Sequence, residues 1–257
     1  MDLLELHLEV MQWIDEAKAI IQAGLKSDLI IEEKTGYKDL VTNVDKQVEQ
    51  YFVANIRELY PTHKIMGEEG SGDKIHSLDG FVWIIDPIDG TLNFVTKQRD
   101  YGIMIALYKD GVGQLGYIYD VSRDQLMYGI RDYGAYCDHK RLVKPFVSDL
   151  SEGFLDMNCY ILMDANERFK NTIRHSKGTR AIGASSIEHM NVFLGNSLAY
   201  LSEQLAPWDV ACGMVIAREL GYFYRTLDNK KIDLLSNKTS LLVCHPAVAL
   251  ELLNTYN

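Results

Sequence analysis

Apolar residues recur at helical spacing near the start of the chain, where Leu3, Leu4, Leu6, Val10, Trp13, Ile14, Ala17, Ile20 and Ile21 fall on one stripe. Gly24 can end that segment, so residues 2–24 are predicted as an amphipathic helix. A second stripe, Val44, Val48, Tyr51, Phe52 and Ile56, begins after Thr42 or Asn43, either of which can cap a helix, and stops at Tyr60-Pro61. The polar stretch EEKTGYKD between the stripes reads as a loop.

Beyond residue 63 the period changes. HKIMG, FVWIID, GIMIALYKD, QLGYIYD and QLMYGI are separated by Gly and Asp turn residues, so 63–138 is predicted to be mostly sheet. From about 147 onward strands and helices alternate: FLDMN, a stretch at 160–174, a helix over 185–194, LAYLS, a helix over 209–220, LLVCH and a terminal helix. A soft boundary near KPFVSD, 144–149, divides an N-terminal α+β lobe, 1–146, from a C-terminal α/β lobe, 147–257. No flexible linker separates the two, so they are expected to share an interface. Gly111, Gly113 and Gly116 spell GxGxxG, but the strand-like YIYDV follows where a dinucleotide site needs a helix, and Asp110-Gly111 marks a hairpin.

Composition narrows the function. With 257 residues, 47% of them apolar and 24% charged, the chain is globular and large enough for one big domain or two fused lobes. The balance of 26 basic against 36 acidic residues, −10, repels nucleic acid and anionic membranes. No apolar run reaches the roughly 20 residues of a membrane span, and MDLLELHLEV carries acids where a signal peptide carries lysines. A cytoplasmic protein without nucleic-acid or membrane partners is expected. Cys137, Cys159, Cys212 and Cys244 show no zinc-ligand spacing and read as reduced thiols. An anionic substrate of so acidic a protein must meet local cations or metal ions.

The chemistry concentrates in WIIDPIDGTLNF. A buried-type strand ends in Asp86, and three residues later Asp89 precedes Gly90-Thr91, the start of a short helix. The two carboxylates and the Ile88 carbonyl could face one oxygen-rich site of the kind Mg²⁺ prefers, while free N–H groups at the helix start suit a phosphate. Glu68 and Glu69 follow a strand in IMGEEG, Asp209 opens a helix in PWDVACG, and Asp45 lies one turn into a helix after DLVTN. Taken singly, each is as well explained by a turn, a solvated loop, a helix cap or a helix-dipole contact.

In this order and spacing, DLVTNVD, GEEG, WIIDPIDGTLNF, GYIYD, the RAIG–SS segment and PWDVACG resemble the inositol monophosphatase family of Mg²⁺-dependent, lithium-sensitive phosphatases, over roughly residues 34 to 221. The resemblance implies a layered α/β/α/β/α sandwich, usually dimeric. It implies that Glu68, Asp86 and the Ile88 carbonyl hold one metal and that Asp86 bridges to a second held by Asp89 and Asp209, with two or three Mg²⁺ per site. It further implies that Thr91 and Asp45 orient and deprotonate a metal-bound water, assisted by Glu68, and that Gly90 and Thr91 N–H groups hold the phosphate. Lys34 stands at the family's loop lysine and Arg180 at the arginine of its R-x-x-G segment, with Ser185 among the substrate contacts. The substrate is expected to be inositol monophosphate or a related small phosphate.

Two departures bear on specificity. Seven residues before Asp209, where inositol-selective relatives usually carry a glutamate, this chain has Ser202, and the adjacent Glu203 points to the opposite face unless a bulge shifts the register. This favours a broader pocket and keeps the NADP(H) 2′-phosphate open as a substrate. CDHKRL lacks the usual Asn-Gly turn and reads as a loop variant. From a different class, an acidic regulatory or interaction protein could retain such a fold without turnover; the intact set Asp45, Glu68, Asp86, Asp89, Thr91 and Asp209 argues against it.

Overall fold

The computed structural model describes residues 2–256. Helices α1 (Leu3–Gly24) and α2 (Asn43–Leu59) follow the two predicted stripes, and α2 starts on a capping box in which Thr42 and Asp45 satisfy each other's backbone N–H groups. The segment between them corrects the expected loop: β1 (Ile31–Gly36) and β2 (Asp39–Thr42) form an antiparallel hairpin. The β1 side chains are mostly exposed on both faces, so no apolar alternation announces the hairpin.

Strands β3 (Lys64–Gly67), β4 (Phe81–Asp89), β5 (Gly102–Lys109), β6 (Val112–Asp120), β7 (Gln125–Ile130), β8 (Gly134–Cys137) and β9 (Lys140–Arg141) make a seven-stranded sheet in sequence order. Only β3 and β4 pair in parallel. The short helix α3 (Thr91–Lys97) follows β4 directly. Strands buried on both faces explain the near-continuous apolar runs: Trp83 and Ile85 pack towards α1 and α2, whereas Val82 and Ile84 face the opposite core. The GxGxxG segment is the turn from β5 into β6, with Asp110 and Gly111 at positive φ. In CDHKRL, Asp138 and His139 form a two-residue turn at φ 46° and 64° between β8 and β9, filling the role of Asn-Gly.

The C-terminal part builds a five-stranded sheet. Its strands are β10 (Phe154–Met157), β11 (Thr179–Arg180), β12 (Ser197–Leu205), β13 (Phe223–Arg225) and β14 (Thr239–Cys244), in the order β11-β10-β12-β14-β13. Residues 160–174 are not one helix: α4 (Cys159–Met163) and α5 (Glu167–His175) are separated because Asn158 and Asn166 each cap a new start through the side chain. Helices α6 (Ser185–Phe193) and α7 (Pro207–Leu220) lie between the sheets, where Met190, Phe193, Val210 and Ile216 share a core with Met104 and Ile118 of one sheet and Tyr200 and Val243 of the other. A third core joins the outer face of the five-stranded sheet to α4, α5 and the last helix, α8 (Pro246–Tyr256). The expected α/β/α/β/α layering is therefore present.

Candidate active site

Asp89 lies three positions after Asp86, so in a regular strand they would point to opposite faces. The register of β4 against β5 shifts between them: Asp86 pairs with Met104 and Asp89 with Gly102, so Pro87 and Ile88 together oppose Ile103. The extra residue, next to Pro87, which has no N–H to give the ladder, turns both carboxylates to one side. Asp209 reaches the same place from the first turn of α7, anchored by a 2.7 Å bond from the Ala206 N–H to its Oδ2. Carboxylate oxygens of Asp86, Asp89 and Asp209 lie within 4.8 Å of one another.

These acids face a cavity of about 270 Å³ that is also lined by Lys38, Glu68, Ile88, Gly90, Thr91 and Gly183. Gly90 holds a left-handed conformation (φ 83°), and a Cβ there would come 2.8 Å from Cβ of Ala184. It leads into α3 with no side-chain cap, leaving first-turn N–H groups free beside the acids. Asp89 is held by α6: Ser185 N–H donates to Oδ1 at 3.2 Å, and Ser186 donates to Oδ2 from N–H at 2.7 Å and from Oγ at 2.5 Å. Gly102 makes room for that contact, since a Cβ would come 2.8 Å from Ser186 Oγ. Ser185 Oγ also donates to the Asp209 carbonyl at 2.8 Å.

Asp45 and Thr91 come from separate helices and meet. Thr91 Oγ1 lies 2.9 Å from Asp45 Oδ1 and 3.0 Å from the Ile88 carbonyl, while Asp45 Oδ2 accepts from Thr42 N–H at 2.9 Å and Thr42 Oγ1 at 2.5 Å. Asp45 is 1% exposed, and burial raises its pKa although these donors counter the rise. Lys34, on the β1–β2 hairpin, bonds Glu68 at 2.9 Å and Glu69 at 2.7 Å. Burial opposes its charge, but the two glutamates more than compensate and raise its pKa. Burial pushes Glu69 up to about 7.

The cluster has the chemistry of a hard-cation site. Its donors are all oxygens, the kind Mg²⁺ takes. Burial and mutual repulsion raise the pKa values of Asp86, Asp89 and Asp209, a surplus of negative charge that divalent cations would neutralise.

Other expected contacts lie elsewhere. Arg180 is outside the cavity lining, with its guanidinium 3.9 Å from the centroid of the Phe154 ring and a bond to the Thr179 carbonyl. Ser202 is 2% exposed and accepts from Asn158 Nδ2 at 3.0 Å, so its hydroxyl is engaged below the surface. A bulge does follow, between Ser202 and Leu205, with Gln204 at φ 62°. Glu203 accepts from the Tyr256 hydroxyl at 2.5 Å and lines a neighbouring cavity of about 320 Å³ with Asn158, Tyr160 and Gln204. Sequence reasoning missed Ser186 and Glu49. The latter is fully buried on α2 and accepts from Glu69 N–H and Ser71 N–H, each at 2.7 Å, shaping the GEEG turn. Its place one helical turn after Asp45 was the available signal.

The layered fold and its carboxylate cavity, shared with relatives that are inositol monophosphatases, place the chain among the phosphatases, the hydrolases of phosphoric monoesters. The model of the inositol monophosphatase family matches residues 3–256, and the chain belongs to that family. It is 40% identical over 242 residues to the inositol-1-monophosphatase of Bacillus subtilis, covering 92% of this chain and 91% of the relative. Among solved structures, inositol monophosphatase II of Staphylococcus aureus superposes with a TM-score of 0.88 at 35% identity, over 98% of this chain and 93% of the other. An IMPase/NADP phosphatase complexed with NADP and Ca²⁺ superposes with a TM-score of 0.92 at 29% identity, over 99% and 96%. No helix among the described residues is long and apolar enough to cross a membrane.

Proposed function

We propose that this chain hydrolyses small phosphomonoesters, inositol monophosphate first among them, with water as the nucleophile and Mg²⁺ as the metal. The observation that carries the proposal is the convergence of Asp86, Asp89 and Asp209 within 4.8 Å, in a cavity that also holds Thr91 bonded to Asp45. Glu68, Asp86, the Ile88 carbonyl, Asp89 and Asp209 would hold two or three Mg²⁺ ions. When bound, these ions supply the positive charge and Lewis acidity that let water attack a phosphoryl anion. Asp45, fixed by Thr42, keeps Thr91 Oγ1 oriented so that the pair can take a proton from the attacking water, with Glu68 as its assistant. N–H groups of Gly90 and Thr91 bind phosphoryl oxygens, and Ser185 keeps Asp89 and Asp209 in register. Lys34 ties the hairpin across the site to Glu68. Arg180 and Ser202 act from outside the acidic cavity, Ser202 by fixing Asn158. We take the working form to be a lithium-sensitive, cytoplasmic homodimer, as family membership leads one to expect.

A second reading, hydrolysis of the 2′-phosphate of NADP(H), is favoured by Lys38. It lines the acidic cavity, and among the described residues no carboxylate lies within 4.0 Å of its ammonium. Its ammonium sits 5.5 Å from the Tyr37 ring centroid, and Tyr160 borders the neighbouring 320 Å³ cavity. A cation beside an exposed tyrosine, with a second exposed tyrosine on the neighbouring cavity, suits a leaving group carrying aromatic rings and further phosphate. The test is phosphate release from an aryl phosphate with and without Mg²⁺, followed by kcat/KM for inositol 1-phosphate and NADP. Absence of Mg²⁺-dependent release from all three substrates sinks the proposal.

A further inference from the structure

Glu188 and Asp156 are two buried acids that neither the carboxylate cavity nor the water-activating pair uses. Glu188 lies on the inner face of α6 and is 2% exposed; Asp156 lies in β10 and is fully buried. Their surroundings assign the charges. Asp156 accepts from Ser197 Oγ at 2.5 Å through Oδ1 and from Asn191 Nδ2 at 3.0 Å through Oδ2, so both its oxygens already serve as acceptors. Glu188 Oε1 accepts from Ile182 N–H at 2.9 Å and Gly183 N–H at 3.3 Å, but Oε2 is buried with no donor and stands against Asp156. Tyr200, buried in β12, is a further titratable group near Glu188, and burial keeps its phenol neutral. His189, next to Glu188 on α6, turns instead to the Ser185 carbonyl and the Tyr224 hydroxyl. With no cation among the described residues paired to either, two touching buried carboxyls are tolerable only when one keeps its proton.

We propose that Glu188 keeps a proton on Oε2 and donates it to Asp156, and that this clasp positions the Ala181–Ala184 turn and the first turn of α6 against the acidic cavity. The turn is gripped from both sides. Glu188 takes its amides, while Asn93 Nδ2, from the helix after DPIDGT, donates to the Ile182 and Gly183 carbonyls at 3.1 and 3.4 Å. Gly183 lines the cavity, and the following Ser185 and Ser186 hold Asp89. A charge on Glu188 would repel Asp156 and loosen α6 where it fixes Asp89. Glu188 is thus a positioning residue. Burial first, and Asp156 second, push it up to about 9.

The proton can be counted without metal or substrate, which separates this inference from the phosphatase reading; only the activity arm rests on that reading. A glutamate free at 4.5 when unfolded and at about 9 when folded gives up its proton on unfolding at pH 7. Its contribution to stability is largest below pH 4.5 and falls as pH rises, up to tenfold in the folding equilibrium per pH unit until about pH 9. Glu188→Gln replaces the O–H donor by N–H₂ and should remove about one released proton and its share of the alkaline loss, with kcat and KM at pH 7.5 within about threefold of wild type. Asp156→Asn can donate to Oε2 and should also remove the released proton. Glu188→Ala should lower kcat at least tenfold in folded protein, rescued by Gln. Equal proton release in wild type and Glu188→Gln would overturn the shared proton. A folded Glu188→Ala enzyme with unchanged kcat and KM would overturn the positioning role.

Discussion

Thr91 Oγ1 and Asp45 Oδ1, 46 positions apart in sequence, stand 2.9 Å from each other beside the acidic cavity. The bond ties the start of α3 to the start of α2, and the Thr42 cap closes on the opposite oxygen of Asp45. Asp45→Asn keeps the volume and removes the base. We expect kcat to fall by about 10² to 10⁴ while KM changes little, the mark of a lost proton acceptor. Steady-state kinetics at saturating Mg²⁺ read both quantities; a large rise in KM at unchanged kcat would make Asp45 a binding residue instead.

Asp86, Asp89 and Asp209 repel one another in the absence of a cation, so metal binding should stabilise the fold as well as enable turnover. Calorimetry should show Tm rising with Mg²⁺, by an amount corresponding to about 2.7 kcal/mol at a hundred times Kd. Asp89→Asn should lose both that rise and the activity while remaining folded. A variant that keeps near-normal turnover at saturating Mg²⁺ would remove Asp89 from the metal site.

The parts of the site legible in the sequence were those compressed into one segment. DPIDGT places two acids, a carbonyl and a helix start within six residues, and PWD names its acid by position in a helix. The β4 bulge was not legible, because no periodicity shows that Asp86 and Asp89 share a face until β5 supplies the register. The β1–β2 hairpin escaped because neither face of β1 is buried. Ser186 and the Glu188–Asp156 pair depend on contacts between distant segments, and an acid in an apolar helix carries no local sign of what it meets. The layering was legible because buried strands and amphipathic helices write their faces into the sequence.

Acid should destabilise the protein through His189. The ring is fully buried between α6 and Tyr224, and burial lowers its pKa from 6.5 to about 4. The folded ring is therefore neutral where the unfolded chain takes up a proton. Its stabilisation is complete above pH 6.5 and is lost as pH falls towards 4, by about 3 kcal/mol at the limit. Asp86, Asp89 and Asp209, with raised values in metal-free protein, act in the opposite sense. The comparison must therefore be between wild type and His189→Gln: urea midpoints at pH 7 and 4.5 should fall further in wild type. Equal falls would show that His189 does not carry the acid sensitivity.

Substrate choice should respond to Tyr160 and Lys38 rather than to Ser202. Ser202 is buried against Asn158, so Ser202→Glu would place a carboxylate into a packed interior and cost stability before it could read an inositol hydroxyl. Glu203 is engaged by Tyr256 at the edge of the neighbouring cavity. Tyr160, half exposed on α4, lines that neighbouring cavity, while Lys38 lines the acidic one. A nucleotide leaving group can use both, through stacking and charge, whereas an inositol ring has no aromatic face to offer. Tyr160→Leu and Lys38→Met should each lower kcat/KM for NADP by about fivefold or more, a loss of about 1 kcal/mol, while changing inositol 1-phosphate less than twofold. If both substrates fall together, Tyr160 and Lys38 act on the shared phosphate site. If only Glu203→Gln moves the ratio, the neighbouring cavity reads the alcohol through its acid rather than through the tyrosine.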